Sequence, residues 1–235
     1  MAEAAAIGDS HTSFVRDNTE CLSPPLVPEV TLHLASEMLP IWRMSEAMLA
    51  ATGLPPPFWA FAWTGGQALA RHVLDHADIV RDKRVLDLGS GSGLVAIAAA
   101  MAGARSVTAA DVDPFAIAAI ALNAAANRVH VDIVGDDLVG RPLSGFDIVL
   151  AGDICYEQPF SGRVSAWLST LAGRGIEVLI GDPGRTYLPR RALRRVAQYD
   201  VETTRELEDC ALRRTVVWRF RSPHGDAGPA GQPAL

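Results

Sequence analysis

Val85-Leu86-Asp87-Leu88-Gly89-Ser90-Gly91-Ser92-Gly93 is the stretch whose reading decides the fold. Arg84 to Leu88 is apolar enough for a buried strand. The glycines after it permit positive φ and let a ligand approach the backbone closely. An Ala-rich run from Leu94 to Ala102 then predicts a helix, whose N-terminal amides would face that ligand. A strand passing into a helix through a glycine turn is the start of a βαβ unit.

The alternation continues downstream. Ser106 to Ala110 predicts a strand. Pro114 to Asn127 predicts a helix with proline in its first turn and Asp113 as N-cap. Strands are expected at His130 to Val134, Phe146 to Ala151 and Ile176 to Ile180, with helices at Pro159 to Leu171 and Leu188 to Val196. Upstream, a helix is expected from about Gln67 to His76. Tyr199 to Leu207 and Arg213 to Phe220 instead alternate apolar and polar residues, as an antiparallel pair does. The expected fold is α/β: a doubly wound seven-stranded sheet, mostly parallel, with a C-terminal antiparallel strand.

This domain is expected over 58–221. Residues 1–57 form an N-terminal arm with short helices: 1–20 read as loose, and 21–57 as two helical-looking stretches broken by Pro24-Pro25, Pro28, Pro40 and Pro55-Pro56-Pro57. The Gly/Pro/Ala-rich 222–235 reads as a disordered tail.

At 235 residues and 49% hydrophobic, the chain can bury a full-sized core. Its net charge of −6 repels phosphate backbones and argues against nucleic acid as partner. The one obvious basic run, Pro189-Arg190-Arg191-Ala192-Leu193-Arg194-Arg195, reads as a solvated helix face. Cys21, Cys155 and Cys210 are far apart, without zinc-site spacing or a disulfide framework, so no metal is expected and the compartment reads as reducing. Met1 to Ser10 lacks the pattern of a signal peptide, and the most apolar run, Gly93 to Gly103, is too short to span a bilayer. A cytoplasmic protein without a membrane partner is expected.

Two cofactors compete for the glycine loop. Gly91-x-Gly93-x-x-Ala96 satisfies the looser dinucleotide fingerprint, with Asp111 some 20 residues on for a ribose. The other register, Asp87-x-Gly89-x-Gly91-x-Gly93, suits S-adenosylmethionine. Asp87 separates the two: a carboxylate beside the loop repels a pyrophosphate and welcomes the ammonium of a methionine moiety. The competing reading of Asp87 is a residue that closes the loop by hydrogen bonding. Cofactor candidates are therefore Asp87, Gly89, Ser90, Gly91 and Gly93, then Asp111 for the ribose hydroxyls with its neighbour Val112, and Asp136 in Gly135-Asp136-Asp137 for an adenine amino group.

Narrower marks carry a resemblance. They are Pro57-Phe58-Trp59-Ala60-Phe61-Ala62-Trp63-Thr64-Gly65-Gly66-Gln67-Ala68-Leu69, Gly152-Asp153-Ile154-Cys155-Tyr156, Leu179-Ile180-Gly181-Asp182-Pro183-Gly184-Arg185 and Thr215-Val216-Val217-Trp218-Arg219-Phe220. Together these resemble the electron transfer flavoprotein beta subunit lysine methyltransferases, within methyltransferase family 16, over about Asn18 to Phe220. Thr64 departs from the proline usual in related sequences. The resemblance implies the Rossmann-like class I methyltransferase fold and S-adenosylmethionine as cofactor, flanked by Trp63 and the glycines after it. It implies Asp153 and Tyr156 as a D-x-x-Y element lining the acceptor-lysine channel, with Asp153 also beside the cofactor, and Asp182 to Arg185 on the same sheet edge. The implied partner is the flavoprotein beta subunit. Ribosomal proteins or small amines are alternative acceptors, and an NAD(P)-binding oxidoreductase is the alternative class.

The chemistry of such an acceptor site is simple. A lysine must be neutral to attack, yet its unperturbed pKa is about 10.4. Aromatic walls and a nearby positive charge both lower it. A carboxylate and a phenol, Asp153 and Tyr156, can orient the amine and are the catalytic candidates, with Glu157 as a recruiter of cations. Alternatively, Asp153 caps the next helix with Tyr156 packed on it. Trp59 and Phe61 read equally well as core.

Overall fold

The computed structural model describes residues 2–36, 55–203 and 210–221. The expected tail at 222–235, part of the proline-broken arm and the end of the penultimate strand lie outside these residues. In chain order, α1 (Ala2–Asp17) leads to a small antiparallel pair, β1 (Glu20–Leu22) and β2 (Leu32–Leu34). Then come α2 (Thr64–Asp75), β3 (Arg84–Leu88), α3 (Leu94–Met101), β4 (Ser106–Ala110), α4 (Pro114–Ala126), β5 (Asp132–Val134) and β6 (Ile148–Gly152). The chain ends with α5 (Phe160–Gly173), β7 (Glu177–Asp182), β8 (Leu193–Glu202) and β9 (Leu212–Phe220).

The main sheet has seven strands in the order β5-β4-β3-β6-β7-β9-β8. Pairing is parallel from β5 through β7, and β9 enters antiparallel between β7 and β8. The chain winds outward from β3 to β5, then returns to place β6 on the other side of β3. Strand order therefore reverses between β3 and β6, and ligands bind such sheets at that switch, outside the carboxyl ends of the strands.

Both faces are covered. Leu69 of α2, Ile97 of α3 and Ile120 of α4 share one apolar cluster with Val85 and Ile148 of the sheet. Val164, Leu168 and Leu171 of α5 pack on the opposite face with Leu86, Val149 and Ile180. The central strands β6 and β7 are mostly apolar because both of their faces are buried. Asp113 does cap α4, accepting from the Phe115 N–H at 2.8 Å.

Three expectations fail. The stretch read as a helix from Leu188 to Val196 is a single 3-10 turn, Arg190–Ala192, followed at once by β8. Both leucines of this stretch are buried, Leu193 opposite Phe220 at the start of the β8–β9 ladder. The arginines therefore do not form a helix face. Arg194 and Arg195 lie on the edge strand of the sheet, where charge discourages pairing with another chain. The N-terminal residues are also ordered. Polar composition hid a helix that needs few apolar anchors: Val15 is fully buried, and the Phe14 ring lies 4.9 Å from that of Phe115 on α4. Where a proline-broken helix was expected, β2 is instead tied to α4. The Asn123 Oδ1 accepts from the His33 N–H at 2.7 Å, and the Asn127 Oδ1 from the Thr31 N–H at 2.9 Å.

The first turn of α2 lies backbone-to-backbone on the ends of β6 and β7. A Cβ at Gly181 would overlap the Gly65 carbonyl, and one at Gly152 would fall 2.8 Å from the Gly66 Cα. Gly181→Ala should therefore cost about 3 kcal/mol in urea unfolding. Gly173→Ala is the control, since a Cβ there meets nothing within 4 Å, and it should leave stability unchanged or raise it by up to about 1 kcal/mol.

Candidate functional site

The glycine loop is closed from within. Asp87, at 1% exposure, accepts from the Ser90 hydroxyl at 2.5 Å and from the Ala96 N–H of α3 at 3.0 Å. Burial pushes its carboxyl up to about 7, against the lowering effect of both bonds. The loop amides are occupied as well. Those of Gly89 and Ser90 donate to the Ala110 carbonyl, that of Gly91 to the Asp111 Oδ2 at 2.8 Å, and that of Gly93 to the Ser90 carbonyl. These four amides serve the loop itself. Gly89 and Gly91, with φ of +63° and +55°, turn the chain so that their backbone forms the floor of a cleft.

That cleft has a volume of about 490 Å³, within the usual range for a small-molecule site. It opens at the strand-order switch. Asp111 lines it, accepting from its own loop and from the Asp113 N–H at 3.0 Å, with burial raising its carboxyl above the ordinary range. Val112, 65% exposed, projects beside it, and Asp136 and Asp137 stand at the far side, pairing with Arg141 and Arg163. Leu88, Ala110, Leu138 and Val139 supply apolar surface. Arg185 is the sole basic residue among those described as lining the cleft, and it lies at the opposite end. A groove lined by carboxylates and apolar side chains suits a cationic nucleoside better than one bearing a diphosphate, and S-adenosylmethionine is such a nucleoside. A second hollow of about 380 Å³, between α5 and the turn at Gly140, holds none of the expected site residues.

The other end of the cleft is built around Asp153, which follows β6 with a left-handed φ of +51° that Asp tolerates better than most residues. Its Oδ2 accepts from the Gly66 N–H in the first turn of α2 at 2.9 Å, and its Oδ1 from the Arg185 guanidinium at 2.9 Å. Asp153 does not cap α5, as one reading of the sequence had it. The carboxylate receives a different helix N-terminus, 87 residues away in sequence. Asp182, at the end of β7, accepts from the N–H groups of Gly184 at 2.6 Å and Arg185 at 2.7 Å, fixing the turn that delivers the guanidinium. The Arg185 guanidinium carbon sits 5.7 Å from the Trp63 ring centroid. The Trp63 indole N–H donates to the Phe58 carbonyl at 2.8 Å, and the Phe58 ring lies 5.4 Å from Tyr156.

The structure thus gathers Trp63, Gly89, Gly91, Asp111, Val112, Asp136, Asp153 and Tyr156 around one cleft. It separates Asp87, Ser90 and Gly93 from it. Asp87 is enclosed by its own loop. Ser90 serves Asp87, and Gly93 is the left-handed N-cap of α3, where a Cβ would press on Ile120 at 3.4 Å. Glu157 is exposed beside Tyr156. Trp59 is buried near Phe115, although it also reaches the cleft, and Phe61 packs on Trp63. The part of Arg185 in the site was missed. The Gly-Asp-Pro-Gly-Arg turn after β7 was its signal, but only the fold shows that it reaches across to the loop after β6.

Comparison with known proteins agrees with this geometry. The family model for ribosomal protein L11 methyltransferase matches residues 67–154, from α2 to the turn after β6. The electron transfer flavoprotein beta subunit lysine methyltransferase of Xenopus laevis is 38% identical over 88% of this chain and 86% of its own. That of Danio rerio is 36% identical over 90% and 84%. Among solved structures, magnesium protoporphyrin IX methyltransferase from Synechocystis PCC 6803 with bound SAM superposes with a TM-score of 0.52 at 15% identity. The match covers 80% of this chain and all of that one, and it is a likeness of fold.

Asp87 gives a pH signature. Its carboxyl holds a proton more tightly in the folded chain (about 7) than the ordinary 3.8, so between these values unfolding releases a proton. The stability it contributes is present at low pH and lost as pH rises toward 7. Asp87→Asn removes this dependence, so the thermal midpoint of wild type minus that of the variant should fall from pH 5 to pH 8. A constant difference would show that the carboxyl is not raised. Asp111→Asn should weaken S-adenosylhomocysteine binding about tenfold or more by calorimetry, consistent with loss of charge-assisted bonds.

Proposed function

The chain belongs to the electron transfer flavoprotein beta subunit lysine methyltransferase family, and from that premise we propose that it methylates lysine side chains on the beta subunit of electron transfer flavoprotein with S-adenosylmethionine as donor. The observation that carries this reading is the continuity of one cleft. Asp111 and the glycine backbone stand at one end, and Trp63, Asp153 and Tyr156 at the other.

When bound, S-adenosylmethionine supplies an electrophilic methyl group on a sulfonium, and the rest of the task belongs to the chain. Asp111 receives the ribose hydroxyls, and Asp136 the adenine amino group. Val112 and Leu138 offer apolar surface to the base. Trp63, Phe58 and Tyr156 form walls that exclude water from the methylenes of an entering lysine and lower its amine pKa. Asp153 and Tyr156 orient the amine nitrogen toward the cofactor end. A carboxylate offers about four acceptor positions, so its bonds to Gly66 and Arg185 leave it able to take a third at the acceptor side. No strong acid or base is required, because charge is lost from sulfur during transfer and alignment dominates.

Purified electron transfer flavoprotein incubated with enzyme and cofactor should gain methyl groups on beta-subunit lysines, read by mass spectrometry. The match to ribosomal protein L11 methyltransferase over 67–154 favours one second acceptor, protein L11, which belongs in a parallel incubation. Methylation of L11 with none on the flavoprotein would replace the first reading. Asp153→Asn is expected to lower kcat about 100-fold while S-adenosylhomocysteine affinity stays within a few-fold. Near-normal turnover would remove Asp153 from the acceptor site.

A further inference from the structure

We propose that Arg185 is a positioning residue that keeps the acceptor amine neutral: a fixed cation in the acceptor wall, anchored by Asp182, braced on Trp63 and paired with Asp153. The inference rests on the acceptor site described above and assigns a charge-setting group to it. Three contacts fix the residue, one on its backbone and two on its side chain. Its backbone N–H is held by the Asp182 Oδ1 at 2.7 Å, its guanidinium bonds the Asp153 Oδ1 at 2.9 Å, and the same group lies over the Trp63 ring at 5.7 Å. The Arg190 guanidinium steadies the turn from the other side, bonding the Gly184 carbonyl at 3.1 Å.

The electrostatic consequence follows from position. A buried carboxylate alone in an acceptor wall would stabilise an incoming lysine as ammonium, which has no lone pair to donate. With Arg185 bound to it, Asp153 still accepts hydrogen bonds, but the pull of its negative charge on an ammonium is offset. A permanent cation there disfavours a second one, so the equilibrium at the lysine Nζ moves toward the neutral amine. The proton passes to solvent, and Nζ keeps the electron pair that attack requires. Among the described residues, the charged and titratable groups facing this point are Asp182 and Arg190 on the β7 side, Cys155, Tyr156 and Glu157 on the loop after β6, and Asp111 across the cleft. The first turn of α2 presents backbone amides and no acidic side chain. Arg185 is the cation of this set that lines the cleft itself.

The test compares wild type, Arg185→Gln and Arg185→Lys, each first shown to keep its thermal midpoint and its S-adenosylhomocysteine affinity. With the flavoprotein beta subunit at saturation, the kcat–pH profile reports the bound amine. In Arg185→Gln its rising limb should move up by about one pH unit, the scale of one screened charge at this range. Arg185→Lys, which keeps the charge, should stay near wild type. A second readout needs neither turnover nor the acceptor protein. It is calorimetry of an S-adenosylmethionine analogue carrying a primary amine in place of the methylsulfonium, run at pH 8 in buffers of different ionisation enthalpy. Wild type and Arg185→Lys should release more protons per ligand bound than Arg185→Gln. Superimposed profiles and equal proton release would overturn the role of Arg185. Absence of methylation by wild type would instead count against the flavoprotein as acceptor, and the analogue measurement would still decide the arginine.

Discussion

The site depends on one contact, the seating of the first turn of α2 against the ends of β6 and β7. Three glycines, Gly65, Gly152 and Gly181, let the backbones meet without side chains between them. Asp153 then locks the contact by accepting from the Gly66 N–H, where a helix N-terminus favours a carboxylate. Without that seating, Trp63 would not stand at the mouth of the cleft, and Asp153 would not face it. In the proposed function, stability and chemistry use the same carboxylate. The carboxylate that closes the helix onto the sheet is also placed in the acceptor wall.

Much of the fold can be read along the chain because the central strands β3, β6 and β7 are mostly apolar and buried, and many of the turns between elements carry glycine or proline. Asp113-Pro114 marks the start of α4 so clearly that its cap is found where the sequence places it. The failure at Leu188 to Val196 has a physical cause, since local composition says nothing about what each side chain packs against. Leu188 and Leu193 are both buried, yet Leu193 begins an edge strand because β9 takes a partner along its outer side. The N-terminal helix was hidden for the opposite reason. Phe14 and Val15 anchor it on α4, and the rest of its composition is polar or small.

The site was legible one residue at a time, but its connections were not. Asp111 and Asp136 follow strands at the carboxyl edge, so a sheet diagram suffices to bring them together. Asp87 shows the limit of motif reading. Its spacing from the glycines marks the loop, while its burial and its bonds to Ser90 and Ala96 show that it organises the loop from beneath. Arg185 shows the complementary limit. Nothing in a Gly-Asp-Pro-Gly-Arg turn says that the arginine reaches a carboxylate 32 residues earlier in the chain. The charge pattern emerges only in three dimensions, with carboxylates around the nucleoside end and one cation in the acceptor wall. That division suits a reaction that needs a cationic donor beside a neutral amine.

In the proposed function, donor and acceptor share a single cleft, with the reacting atoms meeting between Asp111 and Asp153. A crystal structure with S-adenosylhomocysteine tests it most directly. The account requires the ribose hydroxyls on Asp111 and the sulfur turned toward the wall formed by Trp63, Asp153 and Tyr156. A ligand whose sulfur faces away from that wall, or whose ribose is held elsewhere, would contradict it.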